Sequence, residues 1–194
     1  MSIQDEIYSF AFKGWLTQEA IADTPAMEKY QLSGHLDQSV AERLPLDLLD
    51  EDLVARARRM ATVYTAVGAF ENSVRAFVAK KLLEEKGENW WEEAVSEKIR
   101  KKADSRKDEE EKIRWHTQRG DEALYFTDFG ELVSIIIANW NLFEPHMESL
   151  DWVKQMLKTV ERSRNVIMHS GYLQNEDIER VGSCIRDWIR QVGG

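Results

Sequence analysis

Residues 150–171 read LDWVKQMLKTVERSRNVIMHSG. On a wheel of about 100° per residue, Val153, Leu157, Val160 and Ile167 fall on one apolar stripe, the three-and-four step of a helix that buries one side. Gly171 ends the pattern as a C′ glycine would, so the spacing predicts a helix over about 150–169. Arg164 falls inside the stripe. A guanidinium on a core-facing stripe is costly unless it is paired or faces a wet cleft. Asn165 and His169 are four residues apart and share a neighbouring face. The segment therefore presents a cation near a core seam with an amide and an imidazole beside it.

The same periodicity extends outward. A long helix is expected over about 50–86, where Val63, Val67, Phe70, Val74, Phe77, Val78 and Leu82 step by three and four. The carboxylates of Asp47–Asp52 suit its start and Gly87 its end. Trp90 and Trp91 open a second helical region, about 89–118. Most of that region is charged, and it reads either as a solvated helix or mobile insert, or as a basic strip that guides RNA. A third helix, about 127–143, is apolar over much of its circumference, as a central core helix or one with a face in a dimer interface would be. A last helix follows Glu176. Prolines occur only at positions 25, 45 and 145, and no stretch alternates like a strand. The expectation is an all-α bundle of about four to five core helices over residues 47–194. Residues 1–46 form an N-terminal appendage. Its cluster of Ile7, Tyr8, Phe10, Phe12, Trp15 and Leu16 must bury against the main domain or a partner.

Composition narrows the function. The 194-residue chain is 43% hydrophobic and carries a formal net charge of −9, enough apolar material for a core but a poor match to a general nucleic-acid coat protein. The charge is uneven: residues 1–50 balance to −6 and residues 151–194 to +1, so the C-terminal part meets a polyanion without a strong opposing field. No apolar run approaches the ~20 residues that span a bilayer. The first fifteen residues lack the pattern of a signal peptide, so a cytoplasmic protein is expected. Cys184 has no partner cysteine and reads as a small buried thiol. The histidines at 35, 116, 146 and 169 show no zinc-ligand spacing, and neither a phosphate loop nor a serine elbow is present. No metal or cofactor is expected.

Arg164-Asn165-Val166-Ile167-Met168-His169 resembles the R-x4–6-H motif of the HEPN superfamily, including the polar residue after the arginine. Leu124-Tyr125-Phe126-Thr127-Asp128-Phe129-Gly130-Glu131-Leu132, with Ile136, Asn139-Trp140 and Phe143, resembles the HEPN domain of Swt-type RNA endonucleases. Trp90-Trp91 and Phe70-Glu71-Asn72-Ser73-Val74-Arg75 fit the same picture. The resemblance covers about residues 47–192. It implies a metal-independent endoribonuclease that acts as a homodimer, motif helices of two protomers facing each other across a composite site. The 2′-hydroxyl of RNA would attack the adjacent phosphorus, giving 2′,3′-cyclic phosphate and 5′-hydroxyl ends. His169 would shuttle the proton or hold the scissile group, Arg164 would stabilise phosphoryl charge and Asn165 would orient the pair. Glu71 is either a supporting acid or simply an i,i+4 partner of Arg75. Arg162 to His169 also fits the longer spacing of the motif, although Asn165 beside Arg164 favours Arg164. A defence or toxin effector, controlled by an inhibitor or sensor protein, is the biological role the resemblance suggests. The alternative is a non-catalytic HEPN module that binds RNA, a nucleotide or a partner protein.

Overall fold

A computed structural model describes residues 38–120 and 122–192. The expected N-terminal aromatic cluster lies outside the described residues. The chain divides into two compact units, residues 1–54 and 55–194. In the described part of the first unit, a 3-10 turn at Leu46–Leu48 leads to Asp50, whose Oδ1 accepts the backbone N–H of Leu53 at 3.1 Å. Asp50 thereby caps the long helix α1, Glu51–Lys86, and Glu51 and Asp52 add negative charge to its first turn. Gly87, at φ +69°, stops α1 in the left-handed conformation that glycine adopts without penalty.

The remaining helices are α2 (Trp90–Ala94), α3 (Glu97–Glu111), α4 (Phe129–Ala138), α5 (Trp140–Phe143), α6 (Leu150–Met168) and α7 (Asn175–Val192). Among the described residues there is no strand, and the protein is all-α. The core of the second unit forms where the apolar face of α1 (Met60, Val63, Val67, Phe70, Val74, Val78 and Leu82) meets the inner faces of α4, α6 and α7. Trp188 of α7, 2% exposed, is its keystone. Its ring stands edge-on to Phe70 at 5.8 Å and to Phe77 at 5.7 Å, a geometry that favours aromatic pairs beyond simple burial. Phe129 and Phe143 close the cluster against Phe70 and Phe77. No helix among the described residues is long and apolar enough to cross a membrane.

Two expected helices are divided. The region expected over 89–118 is α2 and α3, separated at Val95–Ser96, and α3 ends at Glu111. The helix expected over 127–143 starts only at Phe129 and breaks at Asn139 into α4 and α5. The break has a specific cause. Asn139 is buried, and its Nδ2 donates to Ala94 O and to Ile135 O, both at 2.9 Å. A side-chain amide that takes up backbone carbonyls competes with continuation of the helix, and here it also ties the end of α2 to α4.

The charged face of α3 is anchored. Glu131, in the first turn of α4, accepts the backbone N–H of Asp128 at 2.8 Å as half of a capping box. It also receives Arg106 Nη1 at 2.7 Å and Lys102 Nζ at 3.1 Å. Arg106 reaches on to Asp128 at 2.6 Å and to Phe126 O at 2.7 Å. Burial pushes the Glu131 carboxyl up, but the bonds from Arg106, the Asp128 backbone and Lys102 outweigh it and hold the group below the usual carboxylate range. These two cations of α3 are committed to the fold rather than to an RNA strip.

Candidate functional site

Helix α6 carries the site. Ser149 Oγ accepts the Trp152 N–H at 3.2 Å and starts it. Val153, Met156, Leu157 and Val160 bury its inner face. Its end differs by one residue from the sequence expectation. Ser170, not Gly171, is the C′ residue, at φ +59°. The N–H of Ser170 donates to Ile167 O at 3.0 Å and that of Gly171 to Val166 O at 2.8 Å, the paired closing bonds of a Schellman cap. Gly171 is needed for close approach instead: a Cβ there would lie 2.6 Å from Val166 Cγ1 and 2.7 Å from Val166 O. The chain beyond the cap is held to α1. Arg59 donates to the Tyr172 hydroxyl and to Asn175 Oδ1, and its guanidinium lies 5.1 Å from the Tyr172 ring centre. His169, at the C-cap, is thus exposed but set on a fixed backbone.

The four residues singled out by sequence meet in part. Arg164 lies where α6 turns toward α1. Its Nε is 3.7 Å from Glu71 Oε2, and its Nη1 donates to Asn165 Oδ1 at 3.3 Å. Glu71 is buried, and its other oxygen is 2.5 Å from Arg75 Nη2. Arg75 in turn donates to Thr127 O at 3.1 Å and to Asn72 Oδ1 at 3.2 Å. Glu71 pairs with Arg75 along α1, and its second oxygen also lies beside Arg164 of α6. One relay runs from the Thr127 carbonyl through Arg75, Glu71 and Arg164 to Asn165. The Nε atoms of Arg75 and Arg164 are buried without a hydrogen bond, so the guanidinium of Arg164 is held by charge and by its Nη1 contact.

Asn165 and His169 share an open groove of about 490 Å³ along the outer face of α6, lined also by Lys158, Glu161, Arg162 and Val166. Arg164 stands at its edge through the Asn165 contact, not in its wall. Lys158 and Glu161 were absent from the sequence-based site and Arg162 entered it only as the alternative motif arginine, although the steps 158, 162, 165 and 169 place four of these residues on one helix face. Glu161 borders α4 so closely that a Cβ on Gly130 would lie 2.9 Å from its Oε1. Cys184 is half-buried between α6 and α7, where burial and then Asp187 push its thiol up, the environment of an unreactive cysteine. Among the described residues no group of three or more His, Cys, Asp or Glu side chains is placed to hold a metal ion.

An all-α bundle built on a long first helix, with an Arg-x4-His string ending a core helix, is of the HEPN class. The chain belongs to the Swt1-like HEPN family, whose model matches residues 65–193. The match takes in α1 from Thr65, the whole of α2–α6 and α7 to its end. No curated protein and no solved structure matches the chain. HEPN domains are often RNases, and membership points to an RNase-type or RNA-related function at the level of the family.

Proposed function

We propose that the chain is an endoribonuclease that cleaves RNA by attack of a 2′-hydroxyl on the adjacent phosphorus, without a metal ion. The products are a 2′,3′-cyclic phosphate and a 5′-hydroxyl end. The observation that carries this reading is that Arg164, Asn165 and His169 stand at one end of α6, Arg164 bonded to Asn165 at the edge of the groove that Asn165 and His169 line. The imidazole of His169 takes the proton from the 2′-oxygen as the new P–O bond forms. The charge that grows on the phosphoryl oxygens is met by the Arg164 guanidinium, whose Nη1 bonds to Asn165 at the groove edge and whose Nε lies 3.7 Å from Glu71. Asn165 orients the pair. The 5′-oxygen leaves with a proton, which a second imidazole supplies, so the site is half of a composite one completed by a second copy of the chain. Action in the cytoplasm as a defence or toxin effector, under an inhibitor or sensor protein, belongs to the same proposal.

His169→Ala and Arg164→Ala each abolish cleavage of cellular RNA while the far-ultraviolet circular dichroism and the dimer persist. Undiminished cutting by both variants refutes the assignment. The net charge of −9 favours one second reading, a HEPN module that binds its ligand without cutting it. That reading predicts retention of RNA with no new ends at any protein concentration.

A further inference from the structure

The groove on α6 extends well past the residues assigned to chemistry, and its far end is cationic. Lys158 and Arg162 precede Asn165 and His169 at steps of four, three and four residues, and all four are exposed along the same groove. Neither Lys158 nor Arg162 has an ion pair or hydrogen bond with any other described residue. This sets them apart from Arg75, Lys102, Arg106, Arg119 and Arg164, each of which is held by a carboxylate. Lys154 lies one further turn back, so three cations recur at four-residue spacing on one helix. Such a row repels itself unless an anion lies along it. The single carboxylate in the groove, Glu161, forms no ion pair with either cation and lies against Gly130 on the α4 side.

We propose that this groove is a track for the backbone phosphates of single-stranded RNA next to the scissile bond, with Lys158 and Arg162 as its anion-binding residues. The inference rests on the cleavage reading, since it takes the strand to be cut at His169. From Lys158 to His169 the helix rises by about 16 Å. That length exceeds the distance between neighbouring phosphates of a strand, so the track holds more than one phosphate on one side of the cut. Arg162, with a planar fork of donors, suits bidentate contact to the phosphate nearer the reaction centre, and Lys158 acts as a point charge further along. The ligand is an unpaired strand because attack by the 2′-oxygen needs a backbone free to splay, which a paired A-form helix restrains.

The test uses the full chain and a labelled 2′-O-methyl RNA oligonucleotide of about a dozen nucleotides, within the range of site sizes known for single-strand binders. Methylation blocks the nucleophile, so binding is read without cleavage. The double variant Lys158→Gln/Arg162→Gln binds several-fold more weakly in fluorescence anisotropy. Its affinity falls less steeply with salt, the slope of log K against log salt becoming shallower by about 1.4, that is ~0.7 for each lost phosphate contact. A control variant at exposed cations of α3, Lys98→Gln/Lys101→Gln, keeps the wild-type affinity and slope. Thermal melts establish that both variants are folded. An unchanged affinity and slope in the groove variant, or equal losses in the control, overturns the track. Wild-type protein that fails to bind the oligonucleotide overturns it too. Wild-type protein that binds through these residues but leaves unmodified RNA uncut refutes the cleavage reading and leaves the track standing.

Discussion

Replacing Glu71 by alanine is the most informative single change, because one carboxylate holds two arginines on two helices. Its side chain and that of Arg75 are 11% and 12% exposed and lie 2.5 Å apart. Removing one partner of a fully desolvated pair costs about 3–5 kcal/mol, chiefly through the charge left behind. Here the orphaned Arg75 keeps Thr127 O and Asn72 Oδ1 as acceptors, which softens the loss. Arg164 is 37% exposed and 3.7 Å away, so its share is screened by solvent and small. The net cost is then about 2–3 kcal/mol, just below the range for a fully buried pair. For a domain of this size that lowers the melting temperature by about 10 °C. Glu71→Gln keeps an acceptor for Arg75 and costs about half as much. Differential scanning calorimetry of the three proteins checks the order. A Glu71→Ala melting point within about 2 °C of wild type contradicts the relay. In cleavage assays, Glu71→Gln lowers kcat more than it raises KM, because Arg164 loses its anchor while the groove stays intact.

Other regions give further outcomes. Gly171→Ala pushes a methyl to within 2.6 Å of Val166 Cγ1 and destabilises the α6 cap, whereas Ser170→Gly relieves a left-handed residue at φ +59° and stabilises by up to about 1 kcal/mol; opposite shifts in urea midpoint check the pair. Trp188→Ala, in the middle of the Phe70 and Phe77 edge contacts, costs about 3–5 kcal/mol on equilibrium unfolding. The Glu131 carboxyl titrates below its ordinary range in the folded protein, so its contribution is complete above the unfolded value of about 4.3 and is lost as pH falls through the folded one. Acid unfolding of Glu131→Gln is therefore flatter over that window, measured by tryptophan fluorescence.

Helices α1, α6 and α7 were legible because their signals are local: three-and-four apolar spacing, an acidic start, a glycine at the end. The break at Asn139 was not, since its cause is the Ala94 carbonyl 45 residues away in sequence. Glu131 reads in the chain as one more surface acid, and only the approach of Arg106 and Lys102 from α3 makes it a buried hub. At the cap, sequence pointed to the right glycine for the wrong reason, because a serine in the left-handed conformation leaves no mark in the string. Of the site, the Arg-x4-His spacing and the shared face of Asn165 and His169 were readable, and Glu71 was readable as an i,i+4 partner of Arg75, to which the fold adds Arg164. The groove cations lay in plain view four residues apart. The adjacency of Arg164 and Asn165 set Arg162 aside as the motif arginine, and Lys158 carried no motif to single it out.

Cleavage by His169 and Arg164 leaves a defined chemistry at the new RNA ends. The full chain and its His169→Ala variant are incubated with total cellular RNA in excess chelator, and the new termini are mapped. The account predicts 2′,3′-cyclic phosphate and 5′-hydroxyl ends from the wild type and none from the variant. Ends carrying 5′-phosphate and 3′-hydroxyl, or equal cutting by both proteins, contradict it.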